Sequence, residues 1–202
     1  MIGLTENEAK LLDYLIRHFD ERNTINGLGR KLGITHTGAH KILRKLEGEG
    51  IVSPEMIGNA LYYSVDFRKG MAVKLAEFIL LQRSMNSYAR VQADDLERLR
   101  GACLACILYG SVLRRGEGAR DIDVMLVLRS RKDFEPAHEK LEALKRLKPT
   151  PIHDLILTEA DLVASVRKRD EVVLDILRTG QVLWGSEAII GAIMRGTPRQ
   201  DA

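Results

Sequence analysis

The hydrophobic spacing between His36 and Val65 changes from that of a helix to that of strands, and this change constrains the fold most strongly. An apolar stripe at helical spacing is formed by Ala39, Ile42, Leu43 and Leu46. Gly50 then interrupts the helical pattern. Two strand-like runs follow on either side of a Gly58-Asn59 turn, Ile51-Val52-Ser53 and Leu61-Tyr62-Tyr63-Ser64-Val65. A helix over about 36–48 followed by a β-hairpin is therefore predicted.

The residues before this helix carry the signals of two more helices. Thr5 and Glu8 have the spacing of a capping box, and the apolar pattern behind them predicts a first helix to about Phe19. A second, short helix is expected over 25–32, and Gly33 is placed to end it. Three helices followed by a hairpin is the element order of a winged helix-turn-helix domain, which we expect over residues 1–68.

The charge of this domain is unevenly distributed. Residues 1–68 contain nine Lys or Arg and nine Asp or Glu, but the window 26–46 has five basic residues and no acidic one. A neutral domain with one basic face is typical of nucleic-acid binding. The candidate DNA-binding residues of the third helix are Thr37, His40, Lys41, Arg44 and Lys45. The alternative is a protein-interaction or dimerisation module, because the wing tip, 55–60, has no Lys or Arg.

The run LGRKLGITHTGAHKILRKLEGEGIVS, followed by LYYSVD, resembles the winged helix-turn-helix of MarR- and ArsR-type regulators. The resemblance covers residues 5–67. It implies that the third helix enters the major groove of DNA.

Residues 69–101 are charged and helix-prone and are expected to form a helical connector. An apolar stripe is formed by Met71, Leu75, Phe78, Ile79 and Met85. The stripe could pair with a second copy in a homodimer or pack on its own winged helix. Beyond the connector, Cys103 and Cys106 lie in a short apolar run, which favours two structural core cysteines over a metal or redox pair.

Residues 102–202 show a strand, helix, strand pattern with an acidic pair at its centre. Asp121 and Asp123 begin an alternating apolar run to Leu128, and strand alternation places both carboxylates on one face. Two adjacent carboxylates repel each other and suit Mg²⁺ or Mn²⁺. The Gly110-Ser111 turn ahead of a helix offers N–H groups and a hydroxyl to a phosphate.

A third carboxylate is expected on a neighbouring strand. Asp154 lies in the middle of the strand-like run 151–158, where burial of its charge requires a partner such as a bound metal. The alternative is a surface acid at a strand end. We therefore predict an α+β chain whose C-terminal α/β domain has a small mixed sheet.

The pattern GS-x9-DID, followed by a lone Asp on a later strand, resembles the minimal nucleotidyltransferases of the DNA polymerase beta superfamily over about 102–190. The resemblance implies that Gly110 and Ser111 hold a nucleoside triphosphate. It also implies that Asp121 and Asp123 bind two Mg²⁺ ions and that Asp154 completes the catalytic metal site.

The basic loop between the Gly-Ser turn and the acidic pair is a further candidate for nucleotide binding, through Arg114, Arg115 and Arg120. Many family members have Ser where this chain has Arg120. The arginine is expected either to contact phosphate or to form a salt bridge with Asp121.

These patterns support three hypotheses of function. The first is metal-dependent transfer of a nucleoside monophosphate from an NTP, with ATP favoured, to a hydroxyl. The second is a DNA-binding regulator whose nucleotidyltransferase domain is inactive or only senses nucleotide. The third is an antitoxin-like protein that modifies a toxin-like partner. A cytoplasmic location without membrane contact is expected, because the sequence has no secretory signal and no apolar run near ~20 residues.

Overall fold

The computed structural model describes residues 3–82 and 84–197, and the chain forms two compact units, Met1–Ile79 and Leu80–Ala202. The fold is mixed α+β, with one small sheet in each unit. Within the described residues, no helix combines the length and the hydropathy that a membrane crossing requires.

The N-terminal unit has the predicted winged helix-turn-helix topology. Its elements are α1 (Glu6–Arg17), β1 (Asn23–Thr24), α2 (Ile25–Leu32), α3 (His36–Gly48), β2 (Val52–Ile57) and β3 (Ala60–Val65). The strands form an antiparallel sheet in the order β1-β3-β2. The predicted bounds of α2 and α3 are confirmed, whereas α1 ends two residues before the predicted Phe19.

Local hydrogen bonds explain where these helices begin and end. Thr5 Oγ1 accepts from the N–H of Glu8 at 3.4 Å, and Glu8 Oε2 accepts from the N–H of Thr5 at 2.8 Å, which forms the predicted capping box. Gly33 ends α2 in the left-handed conformation, with φ 68°. Thr35 Oγ1 accepts from the N–H of Gly38 at 3.1 Å and so begins α3.

The helix α4 (Gly70–Leu81) crosses the division between the units, and its buried face differs from the predicted stripe. Its buried residues are Ala72, Ala76, Ile79 and Leu80. Met71 and Phe78 are more than half exposed. The exposure of Met71 and Phe78 does not fit packing of the whole stripe on its own winged helix and leaves pairing with a second copy as a prediction, whereas Ile79 of the stripe is buried.

The C-terminal unit is built on a four-stranded sheet in the order β6-β5-β4-β7. Its elements are α5 (Ser87–Leu96), β4 (Ala105–Tyr109), α6 (Ser111–Arg115), β5 (Ile122–Leu128), α7 (Phe134–Leu147), β6 (Ile152–Thr158), α8 (Glu159–Lys168), α9 (Glu171–Thr179), β7 (Gln181–Trp184) and α10 (Ser186–Gly196). The strands β5 and β6 are parallel, and β4 is antiparallel to both β5 and β7. The sheet is therefore mixed, as predicted.

One face of this sheet packs against α5 and α7 in a continuous core. The core includes Ala89 and Leu96 of α5 and Leu141 of α7. Part of the predicted connector thus belongs to the C-terminal unit. Cys103, which precedes β4, and Cys106 lie in the same core as free cysteines, as expected for structural residues. Burial raises the pKa of the Cys103 thiol to about 11, which keeps it protonated at neutral pH.

Candidate functional site

The two carboxylates of the D-x-D motif lie together at one end of β5. Asp121 directly precedes the strand and Asp123 is its second residue, so both side chains project to the same face. The Oγ of Ser111 donates a hydrogen bond to Oδ1 of Asp121 at 3.2 Å. The structure thus brings together the Gly110-Ser111 turn and the acidic pair that the sequence analysis had placed in one site.

The third member of the cluster is His153. In the parallel β5–β6 pair, His153 lies beside Asp123. Its Nδ1 is 3.7 Å from Asp123 Oδ1 and 3.8 Å from Asp121 Oδ2. One potential ligand atom from each of the three residues lies within 4.8 Å of the others. The sequence analysis does not identify this histidine, although it directly precedes Asp154, the expected third carboxylate.

Asp154 is not brought to the acidic pair, so the predicted metal and catalytic role does not fit this geometry. It lies beside Val124 in the β5–β6 register, on the face that packs against α7. Its Oδ1 forms an ion pair with Nζ of Lys145 at 2.6 Å. Burial opposes the charge on Lys145, but the carboxylates of Asp154 and Glu142 outweigh it and raise the pKa of the lysine. Asp154 is an exposed residue of β6 whose partner is a lysine, which fits the alternative of a surface acid.

The electrostatics of the acidic pair favour a cation. Burial, and then repulsion from Asp121, raise the pKa of Asp123. Tyr109 lies opposite Asp123 on the neighbouring strand β4, and burial together with the charge of Asp123 raises the pKa of its phenol. A bound divalent cation would remove the repulsion between the carboxylates.

The backbone at Gly110 approaches Asp123 so closely that no side chain fits there. Gly110 has φ 78° and ψ −149°, a conformation that is accessible almost only to glycine. A Cβ at this position would lie 2.0 Å from Oδ2 of Asp123. The glycine therefore supports the orientation of the carboxylate as well as the turn into α6.

The basic loop residues Arg114, Arg115 and Arg120 are all exposed. Arg114 is near enough for its charge to act on Asp123. Within residues 3–82 and 84–197, Arg120 forms no ion pair with Asp121, so the salt bridge that was one expectation for this residue is not formed. The guanidinium groups remain accessible to an anion.

The predicted DNA-binding residues of α3 are all exposed, but two of them are already paired with acids. Lys45 Nζ is 2.9 Å from Oε1 of Glu8, and Nη1 of Arg44 is 3.1 Å from Oε2 of Glu47. Thr37, His40 and Lys41 lie on the same helix, also exposed. Among the described residues no acid pairs with Lys41. The positive field of this face is thus weaker than the sequence window implied.

Comparison with known proteins assigns no family to the chain. No protein-family model matches it, and no curated protein matches it. Among solved structures, it is similar to the crystal structure of a mutant of MepR from a multidrug-resistant S. aureus clinical isolate, with 15% sequence identity and a TM-score of 0.37. The match covers 72% of this chain and 81% of that one. A similarity this weak gives no basis for assigning a function.

Proposed function

We propose that this protein is a nucleic-acid-binding regulator whose C-terminal unit binds a nucleotide, with ATP favoured, together with a divalent cation. The proposal rests mainly on one observation. The Gly110-Ser111 turn and the paired carboxylates of Asp121 and Asp123 form one cluster, but the third position of that cluster is a histidine and not a carboxylate.

The cluster has the chemistry for a nucleotide phosphate. Mg²⁺ and Mn²⁺ are commonly bound through one or two protein carboxylates and the phosphate oxygens of the nucleotide. When bound, the cation would neutralise charge on both the carboxylates and the phosphates. Ser111 and the exposed Arg114, Arg115 and Arg120 supply donors for the remaining phosphate oxygens.

The same geometry favours binding over turnover. Transfer to a hydroxyl needs a group that accepts its proton, and the acid expected to help activate it, Asp154, is paired with Lys145 on the other face of the sheet. Nucleotidyl transfer stays a second candidate function, because His153 lies beside the acidic pair and an imidazole can accept a proton. A toxin-like protein is one acceptor that this second candidate would allow.

The N-terminal unit supplies the nucleic-acid contact in this proposal. The helix α3 is the third helix of a winged helix-turn-helix and presents Thr37, His40 and Lys41 to solvent, opposite its buried stripe. Lys41 has no acidic partner among the described residues and can therefore contact a phosphate without breaking an ion pair.

Nucleotide binding is tested by calorimetry with ATP and Mn²⁺ on the full chain. Asp123→Asn is expected to abolish binding. Asp154→Asn, which removes a carboxylate from the neighbouring strand, is the matched control and is expected to bind like the wild type. Equal binding by the wild type and Asp123→Asn would refute the site.

Turnover is tested by incubating labelled ATP with the protein and a cell extract. If the protein is a regulator, it is expected to bind the nucleotide without transferring the label to any acceptor. A labelled RNA, protein or small molecule that disappears with Asp123→Asn would instead establish the transferase.

DNA binding is tested with Lys41→Ala/Arg44→Ala. The double variant is expected to bind duplex DNA more weakly and with a shallower salt dependence, because fewer counterions are released. Lys10→Ala is the matched control, since Lys10 is an exposed, ion-paired lysine on α1. A wild type that binds no duplex at low salt would identify the unit as a protein-interaction module.

A further inference from the structure

We infer that Asp121, Asp123 and His153 form a site for a transition-metal ion such as Zn²⁺ or Co²⁺, with His153 as its third protein ligand and with a preference over Mg²⁺. This inference rests on the proposed cation site and specifies which class of metal that site takes.

The donor set decides the class of metal. Mg²⁺ strongly favours oxygen ligands in an octahedral arrangement. Imidazole nitrogen suits Zn²⁺, Co²⁺ and the other late divalent metals, which also accept carboxylates. Two carboxylates and one imidazole therefore match a transition metal better than they match Mg²⁺. Three protein ligands also leave a coordination position for water or a phosphate oxygen.

The distances are compatible with one shared ion. Two ligand atoms bound at about 2.1 Å to one tetrahedral metal ion lie about 3.4 Å apart. His153 Nδ1 is 3.7 Å from Asp123 Oδ1 and 3.8 Å from Asp121 Oδ2, so each pair has to close by only a few tenths of an ångström. All three residues offer an atom within 4.8 Å of the others, so small side-chain movements complete the site.

The ligands are also oriented by groups around them. The hydroxyl of Ser111 donates to Asp121, as expected for a residue that positions a metal ligand from behind. Gly110 leaves the space that Oδ2 of Asp123 occupies. The parallel register of β5 and β6 places His153 beside Asp123. Its side chain is 64% exposed, so an ion can reach it from solvent.

The test is a titration of the full chain with Zn²⁺, Co²⁺ and Mg²⁺ in the absence of nucleotide. The wild type is expected to bind one Zn²⁺ or Co²⁺ per chain, and to bind both more tightly than Mg²⁺. His153→Ala is expected to weaken Zn²⁺ affinity at least about tenfold, because even outer-shell partners of metal ligands contribute 10–100-fold. His18→Ala, which removes a histidine that follows α1 and is paired with Glu21, is the control and should leave Zn²⁺ binding unchanged.

The substitution His153→Asp provides a test with an opposite sign. A third carboxylate should weaken Zn²⁺ binding and strengthen Mg²⁺ binding, which narrows the preference for Zn²⁺ over Mg²⁺. The visible spectrum of bound Co²⁺ should change between the wild type and His153→Ala, because a nitrogen ligand is lost.

Circular dichroism establishes that each variant is folded, and His153→Asn replaces any variant that is not. Zn²⁺ binding that is unaffected by every His153 variant would overturn the inference, as would a wild type that prefers Mg²⁺. Nucleotide binding with Mg²⁺ in that case would leave the proposed function standing, so the two failures are distinguishable.

Discussion

Replacement of Gly110 by alanine should separate the geometry of the acidic pair from the stability of the fold. The backbone at Gly110, with φ 78° and ψ −149°, is almost inaccessible to other residues, so alanine there costs about 1–3 kcal/mol of folding free energy. This corresponds to a melting temperature about 2–12 °C lower for a chain of this size. The new Cβ would also lie 2.0 Å from Oδ2 of Asp123 and 3.0 Å from its Cγ.

The two closest contacts are with the carboxylate of Asp123, so we expect the carboxylate to rotate away, while Cβ of Asp123, at 3.2 Å, requires a shift of only a few tenths of an ångström in the strand. Gly110→Ala should therefore stay folded but lose metal and nucleotide binding at least about tenfold, a change of about 1.4 kcal/mol in binding free energy. Differential scanning calorimetry measures the stability, and isothermal titration with Zn²⁺ and with ATP plus Mn²⁺ measures the binding.

The control for backbone strain is Gly116→Ala in the same unit. Gly116 also has a positive φ, 56°, but the atom nearest to a new Cβ is Oδ1 of Asn86, at 3.3 Å. This variant should lose similar stability and retain Zn²⁺ binding, because it leaves the space around Asp123 unchanged. A Gly110→Ala protein that binds metal and nucleotide as the wild type does would refute the argument that this glycine supports the position of Asp123.

Two further predictions concern ion pairs outside the acidic pair. Asp154→Asn should lower the free energy of unfolding by about 1–2 kcal/mol, because Lys145 loses a partly buried charged partner; an unchanged urea midpoint would contradict this. Burial opposes ionisation of Glu21, but hydrogen bonds from Lys31 and His18 lower its pKa to about 2. The stabilising effect of Glu21 is therefore complete above its ordinary pKa of 4.5 and is lost as the pH falls towards 2. In Glu21→Gln, the urea midpoint of unfolding should therefore depend less on pH between pH 5 and pH 2 than it does in the wild type.

Most of the N-terminal unit could be predicted from its sequence because its signals are local. The capping residues Thr5 and Thr35 and the left-handed Gly33 act on neighbouring backbone atoms, so a short window of sequence contains the cause and the effect. The strand β1 could not be predicted in this way. It has two residues, Asn23–Thr24, and exists only through pairing with Tyr63 and Tyr62 of β3, far along the chain.

The C-terminal site was only partly predictable for the same physical reason. Asp121 and Asp123 are two residues apart on one strand, so alternation alone places them together. The identity of the third group depends on the register of β6 against β5, which decides which residue of β6 lies beside Asp123. In the run 152–158, apolar residues occur at both odd and even positions, so strand alternation does not show whether His153 or Asp154 faces the acidic pair. The register, Asp123 beside His153, is a property of the folded sheet.

The residue of β6 that lies beside Asp123 and the residues of β6 that pack into the hydrophobic core are fixed by the same strand register. Ile152 is buried and Ile156 is partly buried against the core, on the same face as Asp154. A slip of one residue would bring Asp154 beside the carboxylates, but it would also turn both isoleucines out of that core and His153 into it. An insertion or deletion in the 148–151 connection could therefore not exchange the ligand by itself. In evolution, a histidine-containing site of this kind can become an all-carboxylate site in two ways. Either the register shifts and the opposite face of the sheet repacks, or the residue at position 153 is substituted.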